Sequence, residues 1–222
     1  MIPIISQEQA VELIKNGGVV AVPTETAYGL VVDATNDDAV KRIYQIKGRD
    51  ETKPILVLVD SLEMALKYAE FSDKALSLAK KYWPGPLTLV VEWRDNFPQP
   101  PLLRKRGDTF PPLRIREGEG GLLSSYLNLT DTTIGMRWTS NQICKNIITQ
   151  LGNPITAPSA NVSGMETCYT VEEIQAQYEG RNIQPDGIFD GGILHKGGVS
   201  TVVKVVGNSV ELLRQGTVKI KM

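Results

Sequence analysis

Short, largely apolar runs alternate along this chain with longer segments whose apolar residues return every three or four positions. The first pattern predicts buried strands and the second amphipathic helices. Apolar runs are GVVAV (18–22), PILVLV (54–59), PLTLVVEW (86–93) and TIGMRW (133–138), and three late ones follow, GIFDGG, STVVKVV and SVELLRQG. Helical spacing predicts a first helix opened by Ser6, with Gln9 at capping-box distance and Gly17-Gly18 closing it. Asn36 caps a second helix, DDAVKRIYQIK, whose Val40, Ile43, Tyr44 and Lys47 share one side. Segments 61–70 and 72–82 follow, with Ser61 and Ser72 as N-caps and Pro84 as the stop. Later helices are expected from Ser140 to Leu151 and over 171–178, the last opened by a Thr170/Glu173 capping box. Gly207-Asn208 signals a hairpin between the final strands. Strands and helices intermingle, so the expected class is α/β with a mixed, largely open sheet flanked by helices.

The periodicity fades between about residue 94 and residue 132, where five prolines, four glycines and eleven charges of mixed sign gather. That stretch reads as a long loop inserted in a single domain spanning 1–222, placed to act as a lid. With 41% hydrophobic and 22% charged residues, the chain can bury a core. Its net charge of −1 speaks against a protein that lives on neutralising nucleic-acid phosphates. Cys144 and Cys168 lack metal-ligand spacing and read as buried free thiols. One histidine, His195, rules out a His-rich metal site and reads as a surface residue. No run approaches the roughly 18 apolar residues of a membrane span, and no basic-then-apolar leader opens the chain, so a cytoplasmic protein is expected. P-loop, dinucleotide fingerprint, nucleophile elbow, HExxH and CxxC are all missing.

Polar clusters stand instead at the ends of apolar elements: PTETAYG (23–29), KGRDETKP (47–54), APSANVSG (157–164) and GGVSTVV (197–203). Ligands of open α/β sheets sit beyond strand ends. Gathered there, Lys47, Arg49, Lys53, Arg137 and Arg214 would make an anion pocket, with Thr26, Ser159, Asn161 and Ser200 orienting the ligand. Each cluster also has a plainer reading. Lys47 and Arg49 complement a helix C-terminus, and Ser159–Asn161 reads as an ordinary Asx or Ser turn. Arg137, flanked by Met136 and Trp138 in a strand, resists that treatment, because a buried arginine needs a partner.

Seven ordered segments, PTETAYGL, KGR followed by KP, YWPGPLTLV, IGMR, APSANVSG, STVV and LRQG, together resemble the YrdC/Sua5 family of threonylcarbamoyl-AMP synthases. The likeness runs from about residue 6 to residue 217, in the short, single-domain form. It implies a concave, basic cavity in a twisted α/β fold. It also implies condensation of L-threonine, bicarbonate and ATP, with Mg²⁺, to threonylcarbamoyl-adenylate and pyrophosphate. The product would serve biosynthesis of the tRNA nucleoside N6-threonylcarbamoyladenosine (t6A), through a downstream transferase complex, with weak tRNA binding. By the resemblance, Lys47, Arg49, Ser159 and Asn161 are the catalytic tetrad around the ATP phosphates, and Lys53, Thr133, Thr167 and Arg214 also contact the nucleotide. Thr26, Arg137, Ala157 and Ser200 fall around threonine. No protein side chain is implied as a metal ligand. The chain departs from the family pattern at Asp50, at Leu58 where some members carry histidine, at 138–141 (WTSN), and in the length of 94–132. Two other readings remain: a related enzyme handling a different carbamoyl substrate, and a non-catalytic RNA-binding module.

Overall fold

The structure, a computed structural model, describes residues 1–94, 122–128 and 131–220. The elements run β1 (Ile4–Ile5), α1 (Gln7–Lys15), β2 (Val20–Pro23), β3 (Tyr28–Val31), α2 (Asp37–Lys47), β4 (Val57–Val59), α3 (Leu62–Tyr68), β5 (Ala69–Glu70) and α4 (Asp73–Tyr82). Then come β6 (Leu87–Trp93), β7 (Thr133–Trp138), α5 (Gln142–Leu151), β8 (Ile155–Thr156), α6 (Val171–Tyr178), β9 (Gly187–Phe189), β10 (Thr201–Val206) and β11 (Ser209–Arg214). The strands make a four-stranded sheet, order β1-β9-β2-β3, and a seven-stranded one, order β11-β10-β6-β7-β4-β8 with β5 on β6. The larger sheet is mixed: β10 runs parallel to β6 and β4 to β7, whereas β6–β7, β4–β8 and the β10–β11 hairpin are antiparallel. Bridges Gly29–Ser159 and Asp33–Ile155 tie the two sheets together, so the open mixed sheet expected from the sequence is built in two pieces.

The caps follow the sequence closely. Ser6, Asn36, Ser61 and Ser72 each accept a backbone N–H from the first turn of α1, α2, α3 and α4. Three expectations shift. Helix α5 starts at Gln142 instead of Ser140, because Asn141 caps it, its side chain accepting from Ile143 and Cys144 N–H at 2.9 and 3.2 Å. Thr170 caps α6, but the Glu173 carboxylate accepts from the Tyr169 N–H instead of closing the box on Thr170. Residues 122–128 are no excursion. Leu123 and Leu127 are buried, and the Leu127 carbonyl accepts from Ile55 N–H at 2.8 Å, so the chain re-enters the core before β7. The rest of the inserted-loop and lid reading falls on 95–121, outside the described residues.

Helices α1 and α5 cover one face through Ala10, Ile14, Ile147 and Ile148, packed on Val22 and Leu58. The larger cluster, with Val40, Ile43, Leu89, Met136 and Ile174, joins both sheets to α2 and α6. Each such side chain contributes about 1.5–3 kcal/mol on full burial. Among the described residues no helix is long and apolar enough to cross a membrane.

Candidate active site

The stretch PTETAYG is the turn of a hairpin, because β3, which the sequence reading left as loop, pairs back on β2. Thr24 organises that turn. Its hydroxyl donates to the Ala27 carbonyl at 2.7 Å and accepts from the N–H groups of Thr26 and Ala27 at 3.2 and 3.3 Å. The turn therefore satisfies its own backbone and holds Thr26 and Glu25 in fixed directions. Tyr28 anchors its far side, donating to the Gly192 carbonyl and accepting from Gly191 N–H, both at 2.9 Å.

Beside this hairpin opens a cavity of about 480 Å³, of the size that holds small ligands. Its floor is one face of the larger sheet. Alternation puts Thr133, Gly135 and Arg137 of β7 on that face, next to Thr88 and Val90 of β6 and to Val202 and Lys204 of β10. Thr26, Arg49, Ala157, Ser159 and Thr167 line the walls, and Ser200 and Arg214 close one end. Residues from distant parts of the sequence, chosen for chemistry, thus meet in one space.

The guanidinium groups are held in different ways. Arg214 donates through Nε to the Ser200 carbonyl at 3.0 Å and through Nη2 to Ser200 Oγ at 2.9 Å. Ser200 Oγ is itself 3.1 Å from Thr88 Oγ1. Burial, then the nearby charge of Arg137, pull the Arg214 pKa down. Gly216 makes this end possible: a Cβ there would stand 2.2 Å from the Val199 carbonyl oxygen. Arg49 gives one bond to the Pro54 carbonyl at 2.9 Å, and its buried Nε has no partner. Arg137 is buried, faces Glu25 at 3.6 Å through Nη2, and also leaves its Nε unpartnered. Arg49 and Arg137, both on the lining, thus each carry a buried N–H that no protein group satisfies, and both bring positive charge to one cavity.

Lys47, Asn161 and Lys53 are not on the lining. Lys47 is 2% exposed and lies behind the Ser159–Asn161 turn, its ammonium donating to the Ser159 carbonyl and, at 2.7 Å, to that of Asn161. Burial, reinforced by the charge of Arg49, pushes its pKa down to about 8. The Asn161 amide accepts from Ser159 Oγ and donates to the carbonyls of Val162 and Met165 at 2.9 and 2.8 Å. Both side chains shape the Ser159 wall from the rear. Lys53 is exposed, and its carbonyl accepts from Tyr44 OH at 3.1 Å.

Other lining residues escaped the sequence reading. Lys204 pairs with Asp131 at 2.8 Å, and Asp131 also accepts from Thr133 Oγ1 at 3.1 Å. The signal was a lysine inside the apolar run STVVKVV and a threonine, Thr88, inside PLTLVVEW. Asp131 was hidden in the segment read as loop. The family departures also resolve. Leu58 is wholly buried among Val22, Ile147 and Ala157. Asp50 accepts from Thr52 N–H and Oγ1 at 2.9 and 2.7 Å, an Asx turn in place of a proline. Thr139 and Ser140 of WTSN hold Glu25. His195 is exposed and both cysteines are buried and free, as expected.

With this geometry in hand, comparison with known proteins is specific. A family model described as telomere recombination (Sua5/YciO/YrdC) matches residues 12–110 and 113–216. The threonylcarbamoyl-AMP synthase of Bacillus subtilis is 33% identical over 209 residues, covering 94% of this chain and 52% of that protein. The crystal structure of Pyrococcus abyssi Sua5 complexed with L-threonine superposes with a TM-score of 0.77 at 30% identity, over 97% of this chain and 57% of that one. Escherichia coli YciO superposes with a TM-score of 0.74 at 26% identity, over 100% and 96%. The chain spans about half the length of the curated relatives it matches, at 52% and 53%. Matched over nearly all of its length in sequence and in fold, the chain belongs to the Sua5/YciO/YrdC family.

Proposed function

We propose that this chain condenses L-threonine, bicarbonate and ATP to threonylcarbamoyl-adenylate, releasing pyrophosphate, in the cytoplasmic biosynthesis of tRNA t6A. The observation that carries the reading is the meeting of Arg49, Arg137 and Arg214 on one cavity, two of them with a buried Nε unpartnered. The reaction brings a dianionic threonine carbamate against the α-phosphorus of a polyanion, so charge neutralisation and alignment are the main catalytic needs. Arg137 takes the threonine carboxylate, and Thr26, held by its hairpin turn, reads the hydroxyl. Ala157 lies beside them, and Ser200, bonded to Arg214, stands where the threonine and phosphate positions meet. Arg49, Ser159 and Arg214 face the phosphates, with Thr133 and Thr167 beside the nucleoside. Lys47 and Asn161 act from behind, fixing the Ser159 turn and adding positive charge. The carbamate oxygen forms the new bond to phosphorus as the bond to pyrophosphate breaks, and no side chain need become covalently attached.

Among the described residues no group of three or more His, Cys, Asp or Glu gathers that could hold a metal. Asp131 is the carboxylate on the lining. That donor set fits Mg²⁺ carried in on phosphate oxygens, since this ion keeps its waters and needs only one or two carboxylates. Bound there, it would neutralise phosphate charge. A transferase complex would consume the adenylate, and weak tRNA contact belongs to the same proposal. Purified protein given ATP, Mg²⁺ and bicarbonate should release pyrophosphate when L-threonine is added, less with serine, and not in Arg137→Ala. Release indifferent to threonine would point to another carbamoyl acceptor. No release from folded protein would overturn the reading.

A further inference from the structure

We propose that Glu25 is a positioning residue for the substrate carboxylate, holding the Arg137 guanidinium in a fixed orientation at the cavity. The inference rests on the functional reading above and adds a residue that this reading leaves unused. Glu25 lies between Thr24 and Thr26, both on the cavity lining, yet it is not on the lining itself. Its carboxylate points away, into the start of the α5 connection. There Oε2 accepts from Thr139 Oγ1 and Oε1 from Ser140 N–H, both at 3.2 Å. Arg137 Nη2 stands 3.6 Å from the same Oε2, with side chains 3% and 11% exposed.

The consequence is geometric. A guanidinium presents five N–H groups in a rigid plane. With Nη2 drawn toward Glu25, the plane is held, and Nε, buried without a partner, adds no competing hold. Glu25 also belongs to the turn that carries Thr26. One carboxylate therefore sets the strand of Arg137 and the turn of Thr26 against each other, and with them the spacing between the groups that meet an amino acid's carboxylate and its hydroxyl. The segment WTSN, where the chain departs from its family, supplies the hold through Thr139 and Ser140. Glu25 also offsets the charge of an arginine that is otherwise buried with none.

The test uses Glu25→Gln and Thr139→Val. In the wild type, ¹⁵N spectra should show a protected Arg137 Nε–H signal, assigned by its loss in Arg137→Lys. In E25Q that signal should broaden or vanish. The KM for threonine should rise about tenfold or more while the KM for ATP stays within about twofold, the signature of lost alignment at one subsite. T139V should fall between. An unchanged Nε–H signal in E25Q overturns the proposal, and so does an equal rise of both KM values, which marks a general structural role. If wild-type pyrophosphate release ignores threonine, the functional reading fails on its own, and the Nε–H signal still decides whether Glu25 orients Arg137.

Discussion

Replacing Lys47 with methionine keeps the length of the side chain and removes its charge, its donors and its titration. In the folded chain the Lys47 proton leaves at about 8, because burial penalises the ammonium and Arg49 repels it, whereas the free side chain holds its proton to 10.5. Between those values the unfolded chain binds more protons, so stability climbs as pH rises. The gain is fully present above 10.5 and is lost as pH falls through 8. At about 1.4 kcal/mol per pH unit, it amounts to about 3 kcal/mol, most of it in place by pH 10. Raw stability curves would hide it, because burial also pushes the Cys168 and Cys144 thiols up, to about 11 and about 12. Those groups keep their protons in the folded chain after the unfolded chain has lost them, so they weaken the fold as pH rises above 9. The wild type and Lys47→Met share both thiols, so the difference between the two proteins reports Lys47 together with its weaker coupling to Cys168. Urea unfolding of both, side by side from pH 7 to pH 10, should show that difference moving in favour of the wild type by about 2–3 kcal/mol. A flat difference would refute the reasoning. It would mean that the two carbonyl bonds to Ser159 and Asn161 hold the ammonium well enough to cancel the burial penalty.

Three further outcomes follow from packing and charge. Gly216→Ala puts a methyl 2.2 Å from the Val199 carbonyl oxygen and 2.5 Å from the Ser200 carbonyl carbon; it should cost about 1–3 kcal/mol in urea unfolding and weaken nucleotide binding by displacing Arg214. Arg137→Met leaves the buried Glu25 carboxylate without its cation, and should lower stability by about 3 kcal/mol in the same assay. Cys144 and Cys168 should resist iodoacetamide at pH 8 in folded protein and react fully in urea, read by mass spectrometry, since both are buried with raised pKa values.

What the sequence made legible was local. Ser6, Asn36, Ser61 and Ser72 cap helices because a cap is chosen within three or four residues of itself, and the apolar runs became β2, β4, β6 and β7 for the same reason. The losses come from tertiary competition. Helix α5 was expected to begin near Ser140, but Asn141 caps it, and the Ser140 N–H meets Glu25, more than a hundred residues earlier in the chain. The short strand β3 carries no alternation, and it pairs because Thr24 reverses the chain. Leu123 and Leu127 stand in a stretch of loop composition, and only the three-dimensional core shows that Ile55 waits for them. Arg49, Arg137, Ser159 and Arg214, singled out by residue type in or beside the ends of regular elements, meet on the lining of one cavity. The rear placement of Lys47 was not legible, since an amphipathic helix face does not say which carbonyl groups its last lysine will meet.

The same distinction bears on how a chain of net charge −1 can favour a polyanion. Arg49, Arg137, Lys204 and Arg214 line the cavity, and Asp131 is the carboxylate beside them. Two of these cations are spoken for, Lys204 by Asp131 and Arg137 by Glu25. The other two, Arg49 and Arg214, bond only to carbonyl and hydroxyl oxygens, and burial lowers the pKa of both. A guanidinium in that condition has given up water and found no opposite charge, so an arriving anion gains more from it than from one already paired. On the proposed function, the phosphates would meet cations without an opposite charge, and the amino acid a cation already paired. Such a division suits one ligand that brings several charges and another that must be recognised by shape and by a single carboxylate. On that reading, orientation at Arg137, more than charge, would be the quantity on which amino-acid choice depends.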